Sequence, residues 1–212
     1  MIPTVDECLD LFDSHGMLDN IRDHSLVVSQ VAVLLTEGVN RAGGNLSLPL
    51  VVAAAMLHDI GKTACLDNGR DHAELGRKIC AGLGYNEVAD IVGDHVCLLN
   101  NHLPDITENE LVFYADKRVN HDIVVSLEQR ENYIVETYGR NHSARIEAIR
   151  KNCLKWHQVE ESLFARLEFP PEQLAEVLRE NGSFFDSVRN TEPQPGAGRS
   201  CSCGDSLLIF RN

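Results

Sequence analysis

The sequence predicts a single domain built of α-helices. Apolar residues recur at helical spacing along most of the 212-residue chain, and no apolar–polar alternation typical of strands extends beyond four or five residues. Glycine and proline, which tend to end helices, separate these stretches, and no internal repeat indicates an array of small units. A chain of this length can bury one complete hydrophobic core.

Three helices are predicted in the first part of the chain. Thr4, followed three residues later by Glu7, has the spacing of a capping box, which marks a helix start. Pro49 stands near the first turn of the third helix, where its missing N–H does no harm. That helix is nearly all apolar, so we expect it to be buried on most of its circumference. The three helices are predicted at about 4–12, 19–42 and 47–58.

Six further helices are predicted before the composition changes near residue 190. Gly139 divides two long ones, and Pro170 with Pro171 breaks the second of these. Asn68 and the glycine after it mark a connector, and 100–105 is a loop by composition. The six are predicted at about 71–81, 86–95, 108–119, 126–138, 141–168 and 172–179.

The end of the chain differs in composition from the rest. From residue 190 onward proline, glycine and serine are crowded together, which predicts a flexible tail. Cys201 and Cys203 in this segment have neither the spacing nor the second pair that a zinc knuckle needs, so we assign them no role. The sequence therefore predicts a folded domain at 1–189 and a tail at 190–212.

Composition and charge argue against several classes of function. The chain has 19 lysines and arginines against 32 acidic residues, a formal net charge of −13, and its basic residues do not cluster. This argues against binding to a nucleic-acid polymer. No window approaches the apolar length of a membrane helix, and Met1–Glu7 carries acid where a signal peptide needs base. We expect a cytoplasmic protein with no membrane partner, and its oligomeric state stays open.

The stretch Leu57–Lys62 is the most informative part of the sequence. It places the adjacent pair His58 and Asp59 at the end of an apolar helix. A carboxylate there needs a metal, a cation or dense hydrogen bonding, because an unpaired buried charge is costly. Imidazole beside carboxylate suits iron, manganese, zinc and related ions. A helix-capping aspartate beside a packed histidine is the alternative interpretation of the same pair.

Other histidines and one further aspartate are also placed where they can face the core. Each lies on the apolar side of a predicted helix, although tens of residues separate them. Bundle proteins build di-metal sites from side chains placed in this way. Gly76, one turn after His72, would let that helix approach a neighbour closely. The candidate ligands are His24, His58, Asp59, His72, His95 and Asp116.

These motifs resemble those of the HD superfamily of metal-dependent phosphohydrolases, an α-helical family with the pattern H…HD…D. The resemblance covers about 18–140. Ile21–Ser25 looks like the first-histidine helix of that family, and Leu57–Lys62 like its central signature. His72–Gly76 is similar to the histidine–glycine helix of the binuclear members, and Tyr114–Lys117 to the closing aspartate helix.

The resemblance implies a cofactor and a set of ligands. It implies divalent transition metal ions, iron, manganese, cobalt, nickel or zinc, and two ions rather than one if the binuclear pattern holds. Asp59 would bridge the two ions. The first ion would be held by His24, His58, Asp59 and Asp116, and the second by Asp59, His72 and His95.

Three basic residues are candidates for contact with the substrate. Lys62 is placed to reach a substrate phosphate as a point charge, or else it is solvated at a helix end. Lys117 and Arg118 either do likewise or face solvent. Asp94 precedes a candidate ligand, and it either orients that histidine or accepts a proton. We place Asp59 and Lys62 in the catalytic set.

The function implied is hydrolysis of a nucleotide or another small phosphoester. The chain lacks the Gly-Tyr-Pro stretch of the cyclic-di-nucleotide phosphodiesterases and the Glu-Asp pair of the alarmone hydrolases. It is more similar to small bacterial HD proteins with the five-position pattern, such as diadenosine tetraphosphate hydrolases. Two alternatives stay open: an HD-fold di-iron oxygenase, and a non-catalytic module that senses a nucleotide.

Overall fold

The computed structural model describes residues 1–98, 105–139 and 142–182. Most of the predicted 100–105 loop lies outside these residues, as does the tail with Cys201 and Cys203. Within the described part the fold is all-α, as predicted. Its nine α-helices are α1 (Val5–Ser14), α2 (Asp19–Arg41), α3 (Leu48–Leu57), α4 (His72–Gly82), α5 (Asn86–Asp94), α6 (Glu108–Lys117), α7 (Leu127–Tyr138), α8 (Ser143–Phe164) and α9 (Leu174–Glu180).

The apolar helix α3 lies at the centre of the core. Every residue from Leu50 to Leu57 is buried, because the helix has no charged residue that requires solvent. Helices α1, α2, α5 and α6 pack around it. The prediction of a helix buried on most of its circumference is therefore correct, and the residues that follow Leu57 emerge in the interior of the protein.

Capping residues set several helix boundaries. Thr4 and Glu7 form the predicted capping box of α1, and the same reciprocal pattern starts α6 at Thr107 and α7 at Ser126. Helix α8 ends at Phe164, before the predicted end at residue 168, and a short 3-10 turn at Pro171–Gln173 leads into α9. The predicted break near the two prolines is therefore present, but α8 ends four residues earlier than predicted.

A small β-hairpin was not predicted from the sequence. Strand β1 (Val119–Asn120) pairs antiparallel with β2 (Ile123–Val124), and His121 in the turn has a positive φ of 56°. Strands this short leave no alternation to detect, so the sequence placed Val119 at the end of a predicted helix and left the rest of the hairpin as a connector. Two-residue hairpin turns require positive φ, which histidine, asparagine and aspartate tolerate better than most residues.

Helices α7 and α8 pack against each other on one side of the core. The buried face of α8 carries Cys153, Trp156, Val159 and Leu163 and lies against α6. Among the described residues, no helix combines the length and apolar character that crossing a membrane would require.

Candidate metal centre

All six candidate ligands meet at one place, and each lies in a helix or directly after one. His24 lies in α2, and Asp116 lies in α6. His58 and Asp59 follow the last residue of α3, and His95 follows the last residue of α5. His72 is the first residue of α4. Five helices therefore converge on one point.

The first group of ligands surrounds one oxygen of Asp59. His58 Nε2 lies 3.4 Å and His24 Nε2 lies 3.9 Å from Asp59 Oδ2. Asp116 Oδ1 lies 3.1 Å from His24 Nε2 and 3.7 Å from His58 Nε2. Two imidazole nitrogens and two carboxylate oxygens thus face a common point, and all four residues are buried.

The second group surrounds the other oxygen of the same carboxylate. His72 Nε2 lies 3.3 Å and His95 Nε2 lies 3.6 Å from Asp59 Oδ1. The two imidazole nitrogens are 3.2 Å apart. Because Oδ1 faces this group and Oδ2 faces the first, Asp59 has the arrangement required of a bridging ligand.

Three of the four histidines are oriented by backbone carbonyls. In each, Nδ1 donates to a carbonyl oxygen, which leaves the Nε2 lone pair free to bind a metal. His58 and His95 donate to carbonyls three residues earlier, at the ends of their own helices. The distances are 2.8 Å from His24 to His121 O, 2.7 Å from His58 to Ala55 O and 2.6 Å from His95 to Val92 O.

The donor atoms fit a transition metal. His58 Nε2 and Asp59 Oδ1 are buried, and neither makes a hydrogen bond with any described residue. Buried polar atoms without partners are costly, and a cation would satisfy both. Two sets can each hold a metal ion, His24 with His58 and Asp59, and Asp59 with His72 and His95. Mixed nitrogen and oxygen donors suit zinc, iron, manganese, cobalt or nickel.

The charges of the site favour ionised carboxylates. Burial raises the pKa of Asp59, but the facing imidazoles, His58 first, outweigh it and hold that pKa well below its usual range. Burial likewise raises the pKa of Asp116, and Lys117 and His24 bring it well below the usual range. Burial lowers the pKa of His95 to about 4, so this imidazole is neutral at pH 7 and available as a ligand.

Lys62 lies between the bridging carboxylate and the open part of the site. Its Nζ donates to Asp59 Oδ2 at 2.6 Å, and a third of its side chain is exposed. Burial lowers the pKa of Lys62, but the charge of Asp59 outweighs it and raises that pKa above its usual value. The ammonium group therefore stays charged, and its hydrogen bond to Asp59 uses one of its three N–H donors.

The other two predicted substrate contacts are buried in structural networks. Lys117 donates from Nζ to Asp116 Oδ2 at 2.5 Å and to His95 O at 2.9 Å, so it lines the cavity but mainly supports two ligand positions. Arg118 lines neither of the two cavities that border the candidate ligands. Its guanidinium donates to the backbone oxygens of Val125 and Pro171, the Tyr114 hydroxyl and the Glu160 carboxylate. The structure therefore places Arg118 in a structural network, and its predicted contact with the substrate stays a prediction.

Asp94 also lies outside the centre. Its Oδ2 accepts a hydrogen bond from Asn109, and His95 Nδ1 donates to Val92 O instead. Burial raises the pKa of the Asp94 carboxyl. The suggestion that Asp94 orients the ligand histidine is not supported, because a helix-end carbonyl already does so.

Two cavities flank the ligands. The larger has a volume of about 430 Å³ and reaches Asp59, His72, His95 and Asp116. The smaller, of about 210 Å³, reaches His24. Both are lined by Arg130, which the sequence analysis did not single out. Its only signal was a basic residue on the first turn of a helix, which is too common to be informative.

Glycines allow the second group to approach the first. A Cβ on Gly61 would lie 2.4 Å from His72 O and 2.8 Å from the amide nitrogen of Gly76. A Cβ on Gly76 would lie 2.8 Å from a methyl group of Val92. Backbone therefore packs directly on backbone where α4 meets the turn after Asp59, as predicted for Gly76.

Relatives of known sequence include two archaeal proteins named tRNA (cytidine(56)-2'-O)-methyltransferase. The one from Thermoplasma volcanium is 29% identical over 154 residues, which cover 66% of this chain and 42% of that protein. The one from Picrophilus torridus is 28% identical over 142 residues, 60% of this chain and 40% of that protein. The chain thus spans only about two fifths of these two relatives.

A bacterial relative has a different name. Ribonuclease Y of a Sulfurovum species is 26% identical over 185 residues, which cover 76% of this chain and 35% of that protein. No solved structure matches the chain.

The family comparison agrees with the geometry of the site. The profile described as HD domain matches residues 21–121. This span contains all six residues that converge on the bridging carboxylate, from His24 to Asp116. Most members of that family are metal-dependent hydrolases. The match over residues 21–121 supports an HD domain in this chain and its place in the HD superfamily.

Proposed function

We propose that the protein is a metal-dependent phosphohydrolase that acts on a nucleotide or another small phosphoester. One observation carries the proposal: both oxygens of the buried Asp59 face histidine nitrogens, and this double group opens into a cavity that a lysine lines. His24, His58, Asp59 and Asp116 would hold one ion, and Asp59, His72 and His95 the other. We propose two ions per chain, with their identity decided by metal analysis.

The chemistry is addition of water across a P–O bond. The water oxygen forms a new bond to phosphorus, the bond to the leaving oxygen breaks, and the released proton passes to the leaving group or to solvent. Divalent ions at this position supply Lewis acidity, which activates water and neutralises phosphate charge. Lys62 donates a hydrogen bond to a non-bridging phosphate oxygen, and Asp59 keeps the ammonium group charged and in position.

The charge distribution supports a small substrate. The chain carries a net charge of −13, so its surface repels a phosphate polymer at long range. Positive charge is concentrated at the cavity, which is lined by Lys62, Arg70, Lys117 and Arg130. A compact phosphoester can reach these groups without lying across the acidic surface. Because two kinds of relatives have RNA-directed names, a short RNA belongs in the substrate panel.

The test uses protein purified without chelator and then loaded separately with manganese, cobalt, nickel, iron or zinc. Phosphate or nucleoside phosphate release is measured with phosphomonoesters, phosphodiesters, nucleotides and a short RNA. We expect Lys62→Ala to lower kcat/KM by about one to three orders of magnitude, since a charge-assisted contact to the reacting phosphate is lost. Its metal content should stay near that of the wild type.

The matched control is Lys78→Ala, which removes an exposed lysine that pairs with Glu74 on the surface of α4. This variant should turn over like the wild type. Full activity of Lys62→Ala would contradict the assigned role. A loaded protein that hydrolyses nothing in the panel, but consumes oxygen with a phosphonate or a polyol, would replace the hydrolase with the oxygenase alternative.

A further inference from the structure

The two cavities share one wall. Both are lined by Lys62, Leu66, Arg130 and Tyr138, and each is also lined by candidate ligands. The larger cavity opens over Asp59, His72 and His95, whereas the smaller opens over His24. A phosphate held at the shared wall would therefore have room for a substituent on each side.

Arg130 is the most buried cation of this wall, and its donors are only partly used. Its Nη1 donates to Asn120 Oδ1 at 2.8 Å, and its guanidinium lies 5.7 Å from the ring centre of Tyr133. Its Nη2 is 3.9 Å from Asp116 Oδ1, which is too long for a hydrogen bond. Its Nε is buried and has no hydrogen-bond partner among the described residues.

Such a guanidinium is costly unless a further acceptor binds it. A phosphate presents two oxygens with the spacing that the planar guanidinium fork matches. Tyr133 and Asn120 hold the side chain in place, so little rotamer entropy is lost when an anion binds. Arg130 lies outside residues 21–121, the span that matches the HD domain.

We propose that Arg130 binds the reacting phosphate at the junction of the two cavities, and that the substrate carries an organic group on each side of that phosphate. This inference rests on the proposed function and names its substrate class, a phosphodiester or a phosphoanhydride with two organic ends. Hydrolysis breaks one P–O bond, adds the water oxygen to phosphorus, and releases a phosphomonoester with an alcohol or a second phosphate ester.

The two cavities differ in what they can recognise. The larger is lined by apolar side chains from α7 and α8, including Ile134, Ile149 and Trp156, and it suits a flat ring such as a base. The smaller is lined by Asn20, Asn120, His121 and Tyr133, which offer hydrogen bonds. The consecutive residues Tyr133 and Ile134 line different cavities, so α7 borders both of them.

Two ligands differ by one group and can test this arrangement. Thymidine 5′-monophosphate has an organic group on one side of its phosphate, and its p-nitrophenyl ester has one on each side. Equilibrium dialysis of metal-free protein measures binding without turnover, and nitrophenolate release by metal-loaded protein measures hydrolysis of the ester. Arg130→Gln should raise the Kd of the ester about tenfold or more, and Arg130→Lys should recover part of the loss.

The control for charge is Arg150→Gln, an exposed arginine of α8 whose ion-pair partner is Glu131 on α7. Its Kd values should match those of the wild type. Equal effects of Arg130→Gln and Arg150→Gln would overturn the role of Arg130. Circular dichroism and the Tm of each variant show whether the fold is retained. Asn120→Ala gives a second test: it removes the partner that holds Arg130 but keeps Arg130 itself, so we expect a smaller loss of affinity.

Bulky substitutions test the two cavities separately. Asn20→Trp fills the smaller cavity and should weaken binding of the ester about tenfold, but that of the monophosphate by less than about threefold. Ile149→Trp fills the larger cavity and should weaken the binding of both the monophosphate and the ester. Glu37→Trp, at an exposed position of α2 outside both cavities, is the control. An unchanged ratio of the two Kd values in Asn20→Trp would overturn the two-sided substrate.

Failure of the inference is distinguishable from failure of the proposed function. If loaded wild-type protein hydrolyses neither these ligands nor any other phosphoester, the hydrolase proposal fails. If it hydrolyses monoesters but Arg130→Gln and Asn20→Trp leave the binding of the ester unchanged, the hydrolase stands and the two-sided substrate at Arg130 is wrong.

Discussion

The two halves of the metal centre are built in different ways. The first half takes His24, His58 and Asp116 from α2, α3 and α6, which pack against one another in the core. Its side chains are at most 8% exposed. The second half takes His72 from the start of α4, and that side chain is 28% exposed. Helix α4 packs mainly against α5, and α5 connects the pair to the core.

This difference indicates that core packing positions the first half, whereas the second half depends on the docking of α4 against the rest of the protein. The core positions the first group whenever the protein is folded, because moving any of its helices would disrupt close packing. The second group requires α4 to stay in contact with the turn after Asp59, through Gly61 and Gly76. We therefore expect the second ion to be lost first when the protein is perturbed.

The largest effect is expected where the halves share a residue. Asp59 faces both groups, so Asp59→Ala should reduce metal content from about two ions per chain to near zero. Elemental analysis after gel filtration measures this directly. Asp13→Ala, at an exposed carboxylate that pairs with Arg22, is a control that should keep the wild-type content. Undiminished metal in Asp59→Ala would contradict the assignment of the centre.

A smaller effect should separate the halves. His72 belongs only to the second group, so His72→Ala should remove about one ion per chain and leave the other bound by His24, His58, Asp59 and Asp116. Because His72 is partly exposed, we expect the variant to keep its fold. The Tm measured in the presence of chelator checks this. Two ions retained in His72→Ala would show that this histidine is structural.

Sequence patterns were sufficient to predict most of the helices and to pick out the residues that the fold brings together as candidate ligands, but not the surroundings of those residues. The apolar run before His58 and the order of six acid and histidine residues carry strong signals. The sequence did not indicate the surroundings of Arg118, because the fold buries it against Glu160, a long-range partner that no local pattern reveals. Arg130 was missed for the same reason, since its position between two cavities is a property of the tertiary structure.

The smallest of the expected effects tests the docking of α4 most directly. Gly76→Ala adds a Cβ that would lie 2.8 Å from a Val92 methyl group, so either α5 or α4 must shift. We expect a destabilisation of about 1–3 kcal/mol, typical of an overpacked core, together with weaker binding of the second ion only. Gly82→Ala is the matched control in the same helix, because nothing lies within 4 Å of its Cβ. That change should be neutral or stabilising by up to about 1 kcal/mol.

Urea unfolding and metal titration measure both variants. If Gly76→Ala weakened the two ions equally, the halves would be one cooperative unit, and the contrast between a core-built site and a docked site would be wrong.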